Sequence, residues 1–259
     1  MSKENESKTK DLTVLKIGTG VLTRDKDGKL DNPSLLRLVL AVAELVKSGH
    51  PFIMVSSGAV SAGVSALGLK NYPKDTKIRQ ACAAVGQLRL MYKYKALFEN
   101  FDLDVAQLLL TSDDLLDEER KKGVIDTLEV LHLQDHIIPI INENDSISTE
   151  EITFGDNDML SARIAGVLQA KRLIFLTSVD GLYPPNSTEI LDRVDNIQDV
   201  YDYAKDESGK FSIGGMRSKL SAVNFALEQG VETIIANGRN PKNIAAIVNG
   251  GGIGTRFTV

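Results

Sequence analysis

The chain has 259 residues, 42% hydrophobic and 25% charged, with a formal net charge of −5. That length buries a large core in one α/β domain or two modest lobes, and the acidic balance argues against general nucleic-acid binding. Cys82 is the single cysteine, which excludes a disulfide framework and a cysteine-based zinc site, and His50, His132 and His136 lack a metal-ligand spacing.

The N-terminus has no apolar core, so residues 1–11 read as a mobile tail and not as a secretory signal. No segment is long and apolar enough to span a membrane, and cytoplasm is the default location. Leu12 to Ile17 reads as a strand entering a glycine loop. Asn32-Pro33 opens a helix that Gly49 closes. Phe52 to Val55 is a short continuous apolar run, the mark of a strand buried on both faces. It ends in Ser56-Ser57-Gly58-Ala59, before a small-residue helix. A longer helix runs from about Lys77 to Phe98, then a strand from Val105 to Leu110, with Thr111 as cap of the next helix.

Ile137 to Ile141 is another strand, ending in Asn142-Glu143-Asn144-Asp145, and Ser146 to Phe154 is expected to form a hairpin. A helix opens at Asp156, followed by the strand Leu173 to Leu176. Residues 183–213 read as a long excursion with a short helix. A helix at Met216, a strand from Thr233 to Ala236, a helix from Pro241 to Val248 and a strand near Arg256 to Val259 complete the pattern. Strands separated by helices imply right-handed crossovers, so the expected fold is α/β, with a mainly parallel central sheet between helical layers. A soft boundary near Ala170-Lys171 divides it into two lobes, 12–170 and 171–259, sharing one sheet.

Polar motifs repeatedly follow the carboxyl ends of these strands, where open α/β sheets bind ligands. Lys16 ends an apolar strand, a costly place for a cation unless it meets an anion; the alternative is a lysine snorkelling at the sheet rim. Gly18 and Gly20 permit close backbone approach to phosphate, or simply form a tight turn. In Gly214-Gly215-Met216-Arg217-Ser218-Lys219, a lysine in the first helical turn opposes the helix dipole, and a bound anion would account for it. Gly155-Asp156-Asn157-Asp158 places two carboxylates and an amide at another helix start. Asp145, Asp156 and Asp158 are candidates to organise Mg²⁺ and the lysines or to bind a substrate ammonium; the plainer reading is solvated acids and helix caps. The P-loop, dinucleotide and protein-kinase signatures are absent. No catalytic histidine or cysteine accompanies the motifs, which favours a carboxylate acceptor: it is already ionised at neutral pH and needs charge neutralisation more than a base.

The ordered set Val-Leu-Lys-Ile-Gly-Thr, Ser-Ser-Gly-Ala, Ala-Val-Gly-Gln, Ile-Asn-Glu-Asn-Asp, Gly-Asp-Asn-Asp, Gly-Leu-Tyr and Gly-Gly-Met-x-x-Lys resembles the amino acid kinase family from Leu12 to Phe257. Ile-Asn-Glu-Asn-Asp followed by Gly-Asp-Asn-Asp resembles the branch that phosphorylates free L-glutamate. The resemblance implies a three-layer αβα sandwich and transfer of the γ-phosphoryl of ATP to the glutamate side chain, the first step of proline synthesis. It implies that Lys16 and Lys219 contact ATP and the transferring group, with Asp158 orienting them and helping to organise Mg²⁺. Ser57, Asp145 and Asn157 would hold glutamate, with Asp156 close by. Gly18, Thr177, Ser178, Gly214, Gly215 and Met216 would line the nucleotide pocket.

The resemblance also implies a homo-oligomer, inhibition by proline, and no nucleic-acid or membrane partner. Three features depart from its pattern: Gly20 replaces a serine, Ser178 stands where Asp is common, and the RNA-modification-type C-terminal domain of many bacterial members is expected to be absent after Val259. A kinase of acetylglutamate, aspartate, carbamate or UMP, or a catalytically silent nucleotide-binding regulator, are the competing readings of the same motifs.

Overall fold

The structure is a computed structural model that describes residues 11–24, 26–147, 156–203 and 215–258. Its centre is β1 (Thr13–Ile17), which leads through Gly18 into a one-turn helix, α1 (Thr19–Leu22), that the sequence pattern does not announce. Helix α2 (Asn32–Lys47) takes Pro33 in its first turn, where the missing N–H costs nothing, and Gly49 follows it at φ +88°. β2 (Phe52–Val55) is fully buried and is followed by α3 (Ala59–Ala66). The 23-residue α4 (Thr76–Phe98) starts where Asp75 accepts a hydrogen bond from the Ile78 amide.

Beyond it lie β3 (Asp104–Leu110), α5 (Glu118–His132) and β4 (Ile137–Glu143), then α6 (Asp156–Val167) and β5 (Arg172–Thr177). A two-residue strand, β6 (Arg193–Val194), and a 3₁₀ turn over Ile197–Tyr203 occupy the described part of the excursion. The remaining elements are α7 (Met216–Glu228), β7 (Glu232–Asn237), α8 (Lys242–Val248) and β8 (Thr255–Phe257).

Among the described residues the strands form one eight-stranded sheet in the order β3-β4-β2-β1-β5-β7-β8-β6, parallel throughout except between β7 and β8. Alternation within each strand sends side chains to opposite helical layers. Val14, Ile53, Phe175 and Ile235 pack beneath α5, α6 and α7. Leu15, Met54, Leu176 and Ile234 pack beneath α2, α4 and α8. The result is a three-layer αβα sandwich with a mainly parallel central sheet.

Two details differ from expectation. Thr111 caps the 3₁₀ turn Ser112–Leu115 through a reciprocal pairing with Asp114, while Asp117 caps α5 itself by accepting from the Arg120 amide. A second acid-rich start six residues on made the first cap look like that of the whole helix. β4 runs past Ile141 through Asn142 and Glu143, because β3 continues to pair with it as far as Leu110. Most of the hairpin expected over Ser146 to Phe154 lies outside the described residues; Asp145, Ser146 and Ile147 form a turn.

Helices α3 and α4 meet backbone to backbone. A Cβ on Gly63 would lie 1.9 Å from the Cys82 carbonyl oxygen, and one on Gly86 would lie 1.8 Å from that of Ala59. Neither helix could approach so closely with any side chain at these two positions.

Candidate active site

Parity along β1 decides where Lys16 goes. It shares a face with Leu12 and Val14, so it projects into the layer of α6 and α7 near the carboxyl edge of the sheet. α6 and α7 pack side by side and present their first turns to the same edge, which carries Asp158 and Lys219 towards Lys16. The Lys16 ammonium lies 2.5 Å from Asp158 Oδ1, outside good hydrogen-bond angles, and the Lys219 ammonium donates to Asp158 Oδ2 at 3.1 Å. The carboxylate side chain is 2% exposed, the two lysines 8% and 12%.

One carboxylate between two cations settles the local electrostatics. Burial works to raise the Asp158 pKa, but Lys16 and then Lys219 together hold it below the ordinary carboxylate value. Burial lowers the Lys16 pKa, Lys219 repels its charge further, and the attraction of Asp158 opposes both without cancelling them. The net positive charge left over faces the edge where a strand-end ligand would sit. At the start of α7, Gly215 is extended and offers no side-chain cap to the amides of that first turn.

On the other side of β1, Gly58 adopts φ +98° at the start of α3 and turns the chain beside Ser57. Asn157, in the first turn of α6, donates to Ser57 Oγ at 3.3 Å and to Asn142 Oδ1 at 2.9 Å. Asn142 in turn donates to Gln87 Oε1 on α4 at 2.8 Å. Asp145 sits half-buried in the turn after β4. It acts electrostatically on the Tyr72 hydroxyl, to which Arg79 donates a hydrogen bond; burial raises the Tyr72 pKa, Arg79 opposes it and Asp145 adds to it. Asp156 is the first residue of α6.

Gly18 donates its amide to the Leu176 carbonyl at 2.9 Å, with that oxygen only 3.0 Å from where a Cβ would stand. Thr177 is buried at the end of β5 and exchanges hydrogen bonds with the backbone of Val179. Ser178 is exposed, 3.7 Å from the Cβ position of Gly20. Met216 begins α7, and Gly214 lies outside the described residues.

The structure therefore brings Lys16, Asp158 and Lys219 into direct contact, and Ser57 and Asn157 into another group beside them. Reading the sequence for sites passed over Gln87, Asn142, Tyr72 and Arg79. Gln87 closes the Ala-Val-Gly-Gln motif, and the mid-helix glycine before it, which costs about 1 kcal/mol against alanine, asks for a packing reason. No spacing rule links Tyr72 and Arg79 to Asp145. Among the described residues, no three His, Cys, Asp or Glu side chains converge as a metal cage. What the set does offer is the buried Asp158 carboxylate, ion-paired through Oδ1 to Lys16 and through Oδ2 to Lys219. That fits Mg²⁺, which often takes one or two carboxylates and otherwise keeps water and phosphate oxygens.

Residues 11–237 match the Amino acid kinase family. The chain belongs to this family. Among curated members, it is 42% identical over 248 residues to glutamate 5-kinase 1 of Bacillus subtilis, covering 93% of this chain and 67% of that protein. It is 41% identical over 264 residues to glutamate 5-kinase of Citrifermentans bemidjiense, covering 99% of this chain and 70% of that one. The chain thus spans about two thirds of the length of these relatives. Carbamate kinase from Giardia lamblia, solved with AMP-PNP, superposes with a TM-score of 0.64 at 15% identity, covering 96% of this chain and 98% of that one. At that identity the likeness to this amino acid kinase speaks for the fold alone.

Proposed function

We propose that the protein is a glutamate 5-kinase, which transfers the γ-phosphoryl of ATP to the side-chain carboxylate of L-glutamate. The observation that carries this reading is the Lys16–Asp158–Lys219 cluster standing next to the Ser57–Asn157 pair at one sheet edge. A glutamate carboxylate, with an unperturbed pKa of about 4.3, is already a nucleophile at neutral pH. One of its oxygens bonds to the γ-phosphorus while the bond to the β,γ-bridging oxygen breaks and ADP leaves. The obstacle is repulsion between two anions, and the two ammoniums reduce it where charge shifts in the transition state.

In this reading Asp158 keeps both lysines aimed at the transfer site, and the first-turn amides of α7 face phosphate oxygens. Asp158 would be the carboxylate to hold Mg²⁺, which would supply charge neutralisation at the phosphates. Ser57, Asn157 and Asp145 hold glutamate with Asp156 nearby, the Asp145 carboxylate pairing with the α-ammonium. Gly18, Thr177, Ser178 and the segment from Gly214 to Met216 border the nucleotide. The division into a glutamate lobe, 12–170, and a nucleotide lobe, 171–259, belongs to the same proposal, as does a cytoplasmic location; no described helix is long and apolar enough to cross a membrane. An exposed apolar row on α4, formed by Ile78, Val85, Leu88 and Tyr92, supports assembly as a homo-oligomer. Proline is the proposed feedback inhibitor.

Hydroxylamine trapping of the acyl phosphate tests the assignment. With ATP and Mg²⁺, L-glutamate is expected to give the hydroxamate, and N-acetylglutamate, aspartate and carbamate are not. Equal turnover of N-acetylglutamate would reject the free amino acid as acceptor.

A further inference from the structure

A train of side-chain amides crosses the carboxyl edge of the sheet from the α4 layer to the α6 layer. Its directions are fixed by one backbone group. The Glu143 N–H can only donate, and it faces Asn142 Oδ1 at 2.9 Å and Asn157 Oδ1 at 3.2 Å, so both of those atoms are acceptors. Each asparagine must then turn its NH₂ the other way. Asn157 spends its NH₂ on Asn142 and Ser57, as described above. Asn142 is 1% exposed, and its NH₂ needs an acceptor that water cannot supply. Gln87 Oε1 provides it at 2.8 Å, and the Gln87 NH₂ is held in turn by Gln107 Oε1 at 3.3 Å on the edge strand β3.

We infer that Gln87 is a positioning residue for the amino-acid acceptor. It lies outside the proposed glutamate contacts and acts through Asn142 on the amide of Asn157. The Gly63–Gly86 crossing is what lets it do so: with the backbones of α3 and α4 touching, the residue after Gly86 is carried inward to a 9% exposed position within reach of β4. A larger residue at either crossing position would lift α4 and withdraw the Gln87 carbonyl. Without that carbonyl, the Asn142 NH₂ is buried with no acceptor, and any rotation of the amide to relieve it swings Oδ1 away from the Glu143 N–H and the Asn157 NH₂. The alignment of Asn157 with Ser57 is lost, and with it the geometry of the acceptor pocket, while the lysine–Asp158 cluster on the other side is untouched.

This inference rests on the glutamate 5-kinase reading, and the test separates the two. The full chain is assayed as wild type, Gln87→Met, Gln87→Glu, Asn142→Ala and the double variant Gln87→Met/Asn142→Ala. Gln87→Met is expected to raise the glutamate KM about tenfold, the loss of one buried hydrogen bond, with the ATP KM and the melting temperature close to wild type. Gln87→Glu, which keeps an acceptor towards Asn142, is expected to stay closer to wild type than Gln87→Met. The double variant should bind glutamate no worse than Asn142→Ala alone, since both changes cut one relay.

An unchanged glutamate KM in folded Gln87→Met, an equal rise in both KM values, or additive effects in the double variant would overturn the inference. If Gln87→Met does not fold, Gln107→Met loosens the same relay from the sheet edge and should shift the glutamate KM in the same direction; no shift there is equally fatal. Should wild type make no glutamyl hydroxamate, the substrate reading fails by itself, and the same KM comparison runs on whichever acceptor the trapping panel identifies.

Discussion

Asp158 holds two lysines that reach it from different elements, and this sets what each can be expected to do. In the proposed reaction Lys219 would supply a preorganised charge to the transferring group, so Lys219→Ala should lower kcat by roughly 10²–10³ while circular dichroism stays native. A change confined to the glutamate KM would place it in the substrate pocket instead. Lys16 makes a different prediction, in pH. Burial, with Lys219 behind it, lowers its proton affinity below the ordinary lysine value of 10.5, so the alkaline limb of kcat should fall below that pH.

Asp158→Asn removes the one attraction that opposes burial and should move the Lys16 titration lower still, read directly by NMR of the labelled ammonium. A titration at or above the ordinary value, or one unmoved by the substitution, would contradict the arrangement. On the acid side the sign reverses. Because the Asp158 pKa is depressed, its contribution to folding is present above the model-peptide value of 3.8 and is lost as pH falls through the lower, folded value.

At the scale of elements, the decisive feature is the bare crossing of α3 and α4. Gly86→Ala places a carbon where the Ala59 carbonyl oxygen already lies 1.8 Å away, so the helices must separate. The expected result is a loss of stability of about 1–3 kcal/mol, as for other overpacked cores, together with a rise in the glutamate KM. Alanine tolerated there without either change would mean the helices are free to part. This is also where sequence reading met its boundary. The strands β2 and β5 were legible because their centres are continuous apolar runs, and β1 because its apolar residues are broken only by Lys16.

The cluster around Asp158 was legible because a lysine near the end of an apolar strand and another in a first helical turn are both costly without an anion, and the family resemblance paired them with Asp158. The amide relay was not. Gln87, Asn142 and Asn157 come from three elements, and no local spacing says that two helices touch closely enough for the first to reach the second. Asn142 was read as loop because its polarity marks a turn locally; pairing with β3 overrides that preference. The two-residue strand β6 is likewise visible only through its partner β8.

At the scale of the molecule, the same edge should report ligands thermodynamically. A ligand that binds only the folded state at about a hundred times its Kd stabilises by about 2.7 kcal/mol, which for a domain of this size raises the melting temperature by roughly 5–10 °C. ATP with Mg²⁺ is expected to do so, and chelating the metal should remove most of the shift, because the two lysines alone do not balance the triphosphate. A shift of equal size without Mg²⁺ would mean the protein binds the nucleotide unaided by metal.

The ion cluster has one more consequence, for the protein's biosynthesis. Lys16 leaves the ribosome well before Asp158, and Lys219 comes 61 positions after Asp158. A nascent chain halted before α7 could form β1, β2, β4 and α6 and still own only one of the two cations. Its acceptor side would be nearly complete and its phosphate side would not. If the two lysines act as proposed, the phosphate side stays incomplete during translation until α7 docks beside α6.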